Sequence, residues 1–272
     1  MSDDREELLR LVLDLRRRIE RAAAMGAALP SARRRAARAA AVPHEPEPAA
    51  DPSPAAAPVV AAAASLPFAA DAPRLDPGAR EAILRRIAEE IRECRKCRLC
   101  EGRTNTVPGE GNPSARLLFI GEGPGANEDA QGRPFVGRAG ELLTQIIENG
   151  MRIARGDVYI ANIVKCRPPE NRAPRPDEVA ACLPYLRRQI EAIDPEVIVT
   201  LGRPATLAVL GRGESITSLR GRVYAWEGRK VIPTFHPAYL LRNPAAKPDA
   251  WKDIQIAMRE LGLPIPPPAR PR

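Results

Sequence analysis

Four short apolar runs, separated by segments with helical periodicity, constrain the fold of this chain most. The runs are typical of buried strands, and they cover Leu117–Ile120, Val158–Ile163, Val197–Leu201 and Val231–Phe235. The helical stretches lie at residues 79–93, 138–150, 177–193, 203–211 and 248–261. Strands that alternate with helices predict an α/β fold in which a mainly parallel, four-stranded sheet is covered by helices on both faces. Functional side chains in such sheets lie at the carboxyl ends of the strands.

The first 76 residues have a different character from the rest of the chain. Residues 41–75 contain 13 Ala and 8 Pro, a composition that buries little apolar surface and predicts a disordered linker. Before it, residues 4–24 carry one apolar helical stripe, which would either dock on the chain's own domain or bind a partner or a second copy of the chain. We therefore assign an amphipathic helix to residues 1–25, an Ala/Pro-rich disordered linker to 26–76, a globular domain to 77–264 and a disordered tail to 265–272.

The charge of the chain is concentrated in its globular part. Residues 80–272 carry 31 Lys and Arg against 23 Asp and Glu, whereas residues 1–79 carry 11 of each, so the whole net charge of +8 lies in the domain. A basic domain indicates a polyanionic partner such as nucleic acid, and an Arg-rich surface without such a partner is the alternative. No run of about 18 apolar residues suggests a membrane span, and the acidic N-terminus is unlike a secretory signal. We expect a cytoplasmic monomer with no membrane partner.

The cysteines predict a metal site. Cys94, Cys97 and Cys100 have the spacing C-x2-C-x2-C, and Cys166 and Cys182 follow much later. An odd number of cysteines in a chain without a secretory signal disfavours a disulfide framework. Zinc and a [4Fe–4S] cluster both accept four thiolates, and the spacing alone does not separate them. A buried structural cysteine is the alternative for Cys182.

A glycine-rich loop follows the first strand. Its sequence GEGPG, at residues 121–125, lets the backbone approach a ligand closely. Pro124 and Ala126 break the dinucleotide fingerprint G-x-G-x-x-G, and the Gly-Lys-Ser/Thr of a phosphate loop is missing, so a nucleotide-binding Rossmann-type enzyme is disfavoured. Further on, Phe135 stands between Pro and Val-Gly on a loop, a position that suits stacking on a planar ligand.

Two more polar residues follow strands. Asn162 ends the second strand, and His236 follows the last one. The chain has only two histidines, and His44 lies in the predicted linker, so His236 is the one candidate for histidine chemistry in the domain. A satisfied structural histidine is the alternative.

Three motifs together identify a family. The segments GEGPGANEDAQGRPFVGRAG, NIVKCRPPENR and PTFHPAYLLRNP resemble the family-four uracil-DNA glycosylases, which are the iron–sulfur type. The resemblance runs from about Glu93 to Leu261 and does not cover residues 1–76. It implies a three-layer α/β/α sandwich and the hydrolysis of the N-glycosidic bond of uracil in DNA. The implied product is an abasic site that enters base excision repair.

The resemblance also assigns the cofactor and the pocket. It implies a structural [4Fe–4S] cluster on Cys94, Cys97, Cys166 and Cys182, with Cys100 as the spare cysteine. The implied substrate-binding residues are the stacking, pairing and supporting positions, which are Gly123, Phe135, Glu128, Asn162 and Asn171. Of these, Phe135 stacks on the flipped uracil, Asn162 pairs with its O4 and N3–H, and Glu128 either supports the site or crowds the C5 methyl of thymine.

The catalytic and DNA-contacting positions follow from the same resemblance. His236 would stabilise the negative charge on uracil, and Glu122 is the side chain that we expect near the attacking water. Leu240 and Leu241 would form an apolar wedge for the vacated duplex space, next to Arg242, and the start of an amphipathic helix is the alternative. The expected partner is uracil-containing DNA, single- or double-stranded, in the nucleoid, and the N-terminal extension is a candidate site for a repair or replication protein. The alternatives are a glycosylase for other deaminated or mispaired bases and a non-catalytic iron–sulfur DNA-binding module.

Overall fold

A computed structural model describes residues 75–267 of the chain. The predicted amphipathic helix at residues 1–25, the linker up to residue 74 and the tail from residue 268 lie outside the described residues. The domain boundaries assigned from the sequence therefore stay predictions.

The centre of the domain is a mixed sheet of six strands in the order β1-β3-β2-β4-β6-β5. The strands are β1 (Glu110–Gly111), β2 (Leu117–Gly121), β3 (Tyr159–Asn162), β4 (Val197–Leu201), β5 (Tyr224–Trp226) and β6 (Arg229–Thr234). Strands β3, β2, β4 and β6 are parallel, and β1 and β5 pair antiparallel at the two edges. The four apolar runs therefore form the parallel core as predicted, but the prediction of four strands missed the two short edge strands.

Eight α-helices surround this sheet within the described residues. They are α1 (Pro77–Glu93), α2 (Ala126–Gln131), α3 (Arg138–Gln145), α4 (Pro176–Ile193), α5 (Arg203–Leu210), α6 (Ile216–Leu219), α7 (Pro237–Arg242) and α8 (Lys247–Glu260). Helix α3 continues into a π-helical turn at Ile146–Met151. The start of α1 is fixed by Asp76, whose carboxylate accepts the backbone N–H of Gly78 at 3.0 Å, with Pro77 in the first turn.

Alternate residues of the parallel strands face two separate hydrophobic cores. On β2, Leu118 and Ile120 pack against α1, α4 and α5, whereas Leu117 and Phe119 pack against α3, the π-turn and α8. Because both faces of the sheet are covered, all five residues of β2 and of β4 are buried. This arrangement is the three-layer α/β/α sandwich.

The connections place a crevice at the end of β2. The chain runs from β2 to β3 on one side and then crosses to β4 on the other side, so the strand order reverses around β2. In open parallel sheets a ligand binds outside the carboxyl ends of the strands at such a reversal. The glycine-rich loop begins at Gly121, where β2 ends. Among residues 75–267 no helix has the length and apolar character of a membrane span.

Candidate active site and cysteine cavity

A cleft of about 450 Å³ opens at the carboxyl ends of the parallel strands. Its walls come from the glycine-rich loop, the loop of Phe135, the loop after β3 and the start of α7. The sequence-predicted residues that line it are Glu122, Gly123, Glu128, Phe135, Asn162, Asn171, His236 and Arg242. The fold thus brings together residues from four separate segments of the chain.

Asn162 is the most unusual polar group in this cleft. It lies at the end of β3 with 1% of its surface exposed, and its Oδ1 has no hydrogen-bond partner among the described residues. A buried acceptor without a donor costs about 1–3 kcal/mol, so its retention here points to a ligand that supplies the donor. The cleft therefore contains one acceptor that is prepared for an incoming N–H group.

Gly121 makes room for this arrangement. A Cβ at residue 121 would lie 2.5 Å from Oδ1 of Asn162 and 2.5 Å from the ring of Phe135. Any side chain would therefore displace both groups. The glycine that begins the loop is required because two site residues approach its backbone closely.

Phe135 lines the cleft on a loop that a carboxylate holds in place. Its φ angle is 53°, in the left-handed region that phenylalanine rarely adopts, and its ring centroid lies 5.7 Å from that of His236. Glu128 supports this loop, because its Oε1 accepts the N–H groups of Val136 and Gly137 at 3.0 Å and its Oε2 accepts that of Gly125 at 3.1 Å. Both carboxylate oxygens are thus engaged with the backbone, which favours the supporting role of Glu128 over the crowding of a thymine methyl.

His236 stands directly before α7 and caps it. Its Nδ1 accepts the backbone N–H of Ala238 at 3.1 Å, so in the neutral ring the proton belongs on Nε2. Burial lowers the pKa of His236 to about 4, and the charge of Arg242 acts in the same direction while Glu128 opposes it. At neutral pH the residue is an uncharged imidazole with one N–H to donate.

The acid in the glycine-rich loop is also perturbed. Burial raises the pKa of Glu122, which lines the cleft beside Gly123. A carboxylate with a raised pKa is a stronger base than an exposed one. Asn171 also lines the cleft; its φ is 54° and its Oδ1 accepts the Nε–H of Arg167 at 2.9 Å.

The predicted wedge is only partly in place. Leu240 is 2% exposed and packs against Phe235 and Ala250, so it belongs to a small hydrophobic core in this structure, and its insertion into DNA stays a prediction. Leu241 is half-buried and is absent from the cleft lining, whereas Arg242 is exposed and lines it. An amphipathic helix turn explains the difference, because α7 buries the face that carries Leu240 against α8.

Among the cleft residues with polar side chains, sequence reasoning missed two, Tyr239 and Arg172. Tyr239 lies on α7 at the mouth of the cleft. Arg172 forms a two-point ion pair with Glu178, at 2.8 and 2.6 Å, that ties the loop after β3 to α4. Both residues lie within the motifs that identified the site. The motifs alone do not show which of their residues face the cleft, because this depends on which neighbouring residues the fold buries.

All five cysteines line a second cavity, which is separate from the cleft and lies between α1, the loop after β3 and α4. Arg103 donates to Sγ of Cys166 at 3.2 Å and to the carbonyl of Cys94 at 2.9 Å. Burial raises the pKa of Cys182 to about 11. Within residues 75–267, no three His, Cys, Asp or Glu side chains converge on one position that a single metal ion would occupy. The four predicted ligands nevertheless share one cavity, and four thiols around a cavity fit a thiolate-ligated cluster.

Comparisons with known proteins agree with this geometry. The family model of the uracil DNA glycosylase superfamily matches residues 108–256. The chain is 55% identical to the type-4 uracil-DNA glycosylase of Thermotoga maritima over 167 residues, 60% of this chain and 86% of that protein. It is 52% identical to the type-4 enzyme of Saccharolobus solfataricus over 177 residues, 62% of this chain and 82% of that protein. A type-5 uracil-DNA glycosylase of Pyrobaculum aerophilum is 33% identical over 153 residues, 50% of this chain and 67% of that protein. The chain therefore belongs to the type-4 uracil-DNA glycosylases of this superfamily.

Proposed function

We propose that this protein is a DNA repair enzyme that removes uracil from DNA. It hydrolyses the bond between N1 of uracil and C1′ of deoxyribose, releases free uracil and leaves an abasic site for base excision repair. The observation that carries this function is Oδ1 of Asn162, a buried acceptor without a donor that lies beside the ring of Phe135. The same amide can meet the N3–H and O4 of uracil with an acceptor and a donor.

The residues of the cleft select the base. The target nucleotide leaves the stack and enters the cleft, where Phe135 stacks on its ring. Oδ1 of Asn162 accepts N3–H of uracil, and its amide nitrogen donates to O4. Cytosine has an unprotonated N3 and an amino group at C4, so the same amide would face acceptor with acceptor and donor with donor.

The chemistry follows from how charge develops during bond breaking. The electron pair of the C1′–N1 bond leaves with uracil, and positive charge grows on the sugar. His236, neutral and protonated on Nε2, donates a hydrogen bond to O2 and stabilises the uracil anion. Water then forms the new bond to C1′, and the Glu122 carboxylate takes up a proton from this water. The uracil anion takes up a proton from solvent to become the free base, and Glu122 returns its proton to solvent.

A [4Fe–4S] cluster fits the second cavity, where Cys94, Cys97, Cys166 and Cys182 would hold it. When bound, this cluster supplies a cross-link between the end of α1, the loop after β3 and α4. Cys166 lies in the segment that leads from Asn162 to the cleft wall at Arg172, so the cross-link supports the pocket indirectly. The enzyme acts as a monomer on DNA in the cytoplasm, at the nucleoid, and residues 1–76 are the candidate site for a repair or replication protein.

One assay tests the function directly. Purified protein is incubated with an end-labelled oligonucleotide that contains one uracil, single-stranded or paired with guanine, and the abasic sites are then cleaved with alkali. We expect a single product at the uracil position. The matched oligonucleotide with thymine stays intact, and His236→Ala removes the product. A wild-type protein that binds these oligonucleotides without cleaving either would instead indicate a non-catalytic DNA-binding module.

A further inference from the structure

The mouth of the cleft carries one exposed aromatic ring. Six large hydrophobic side chains are exposed among residues 75–267, and they are Leu75, Ile83, Leu207, Val223, Tyr239 and Ile265. Of these six, Tyr239, at 39% exposure, is the one that lines the cleft. A ring of this size at the entrance of a DNA-processing cleft is placed where nucleotides on either side of the target must pass.

The ring of Tyr239 is supported from below. It stacks on Phe235 with centroids 5.0 Å apart and an angle of 25°. The guanidinium of Arg220 lies 5.1 Å from the centroid of Phe235, and Arg220 is fixed in turn by a two-point ion pair with the fully buried Asp253. Because these layers hold the ring in one position, little side-chain entropy remains to be lost when DNA binds.

We propose that Tyr239 is the side chain that stacks against the DNA where the flipped uracil leaves its place. This proposal rests on the proposed function and assigns to Tyr239 the contact that the sequence analysis assigned to Leu240 and Leu241. A base step that loses its neighbour exposes an apolar planar face, and an aromatic ring covers such a face with any sequence. Arg242, three residues further on the same helix, is exposed and available to a phosphate.

The test compares duplex and single-stranded substrates. In a duplex the ring replaces a lost stacking partner, whereas a flexible single strand has less stacking to lose. We expect Tyr239→Ala to lower kcat/KM on a uracil–guanine duplex about tenfold or more, since stacking on one base contributes about 1–3 kcal/mol. On the single strand of the same sequence the change should stay within about threefold. Tyr239→Phe should restore the duplex activity, and Leu207→Ala, an exposed residue outside the cleft, is the control.

The outcomes separate the possible failures. Equal activity of Tyr239→Ala and wild type on the duplex overturns the proposal, and so does an equal loss on both substrates, because the ring would then act through the pocket. If the circular dichroism spectrum shows that Tyr239→Ala does not fold, Tyr239→Leu takes its place, because leucine keeps the apolar contact with Phe235 but has no aromatic face. The loss of kcat/KM on the duplex is then compared with the loss on the single strand in the same way. A wild-type protein that releases no uracil contradicts the proposed function, not the role of Tyr239.

A second feature stands apart from the cleft: three cationic side chains line the cysteine cavity, and of these Lys96 is exposed whereas Arg103 is half-buried and Lys165 is buried. Lys165 is 1% exposed, and its Nζ donates to Oε1 of Gln189 at 2.6 Å. Gln189 is itself anchored by the carbonyl of Pro108 at 2.8 Å. Gln189 is the one acceptor that the described residues give to the three N–H groups of this ammonium. Arg103 contributes the second positive charge, through its hydrogen bond to the sulfur of Cys166.

We infer that Lys165 and Arg103 balance the charge of the cysteine-bound cluster. The inference rests on the proposed cofactor, because a cluster held by four thiolates is an anion and a buried anion without a counter-charge is costly. A buried lysine without such a partner is costly in the same way. The net charge around a cluster and the hydrogen bonds to its sulfurs are also the quantities that set its reduction potential.

The reduction potential of the purified protein tests this inference without reference to activity. Lys165→Met keeps the length of the side chain and removes the charge, so the more negative, reduced cluster is disfavoured. We expect the reduction potential to fall by at least 59 mV, a tenfold change in a one-electron equilibrium.

Lys252→Met, which removes an exposed lysine, should leave the reduction potential unchanged, and Arg103→Met should lower it as Lys165→Met does. Potentials of both variants equal to that of the control overturn the inference, and Arg103→Met decides if Lys165→Met does not fold. A wild-type protein without iron refutes the cofactor itself.

Discussion

Nδ1 of His236 accepts the backbone N–H of Ala238 at 3.1 Å, and this one bond fixes what the histidine can do. A nitrogen that accepts a hydrogen bond carries no proton, so the other nitrogen, Nε2, is the donor. The hydrogen bond that caps α7 requires an unprotonated Nδ1, so this bond stabilises both the start of the helix and the neutral form of the ring. In the mechanism that we propose, His236 acts as a neutral hydrogen-bond donor whose ring is already held by α7.

The ionisation of His236 is the first prediction. Burial lowers its pKa to about 4, so the ring should stay neutral as the pH falls from 7 to 5. In the unfolded chain this histidine takes up a proton below about pH 6.5, whereas the folded ring stays neutral down to about pH 4. The free energy of unfolding should therefore decrease as the pH falls through this range. NMR of the imidazole carbons measures the pKa, with His236→Ala to assign the signal. A midpoint above pH 6 would contradict the prediction.

The catalytic weight of His236 is the second prediction. His236→Ala removes the donor to the uracil anion, and the loss of one such donor lowers kcat about 10²–10³-fold. Single-turnover release of uracil measures it, because product release then plays no part. Binding of uracil-containing DNA should change far less, since the donor acts mainly in the transition state. Full turnover by this variant would refute the role of His236.

Base selection by Asn162 is the third prediction. Asn162→Ala removes both partners of the uracil edge, and the ratio of uracil to cytosine release should fall about tenfold or more, as expected from a mispaired buried polar group. Gel assays with matched uracil and cytosine oligonucleotides measure the ratio. Asn112→Ala, at a turn outside the cleft lining, is the control. An unchanged ratio would show that Asn162 does not read the base.

The fourth prediction separates the two roles considered for Glu128. Its carboxylate holds three backbone N–H groups around Phe135, so Glu128→Ala should loosen this loop and lower kcat/KM for uracil about tenfold or more. Glu128→Gln keeps an oxygen for Val136 and Gly137 and should recover most of this loss. Release of thymine from the same oligonucleotide context is the second measurement. A gain of thymine release without a loss of uracil release would restore the hypothesis of steric exclusion.

The cysteine assignment gives the fifth prediction. Cys182→Ala removes a predicted ligand, so the protein should lose its brown colour and its iron, and its unfolding temperature should fall. Cys100→Ala removes the spare cysteine of the same cavity and should keep both colour and iron. Iron analysis and visible absorption measure the outcome. Stoichiometric zinc in a colourless wild-type protein would mean that the thiols hold a different metal.

The sequence predicted the parallel core well because strands buried on both faces are continuous apolar runs, as in Val197–Leu201. The edge strands gave no such signal, since Glu110–Gly111 has two residues and Tyr224–Trp226 has three. Neither strand has a run long enough to show a period.

Within the site, the sequence predicted the residue types and the edge of the sheet at which they lie, but it did not predict how the individual side chains pack. The motifs brought Asn162 and His236 to the correct edge of the sheet, because each follows a parallel strand. The burial of Leu240 was not predictable, because an apolar residue on a short helix fits either a core or an exposed wedge, and only the packing of Ala250 against it shows which of the two it occupies in the structure. The need for a glycine at residue 121 likewise depends on how closely Phe135 approaches it.

The remaining prediction concerns the pH dependence of water activation. Burial raises the pKa of Glu122, and its carboxylate is a base only when ionised, so kcat should fall as the pH falls through this raised pKa. Burial lowers the pKa of His236 to about 4, so His236 does not account for a loss of activity that begins well above this pH. Glu122→Gln keeps the shape of the side chain and removes the base, and it should both lower kcat and flatten this acid limb. Glu141→Gln, on α3 and outside the cleft lining, is the matched control. If kcat of Glu122→Gln still falls with pH at the same midpoint as in wild type, another group accepts the proton. The reason is that the titration of the true base must disappear when that base is substituted.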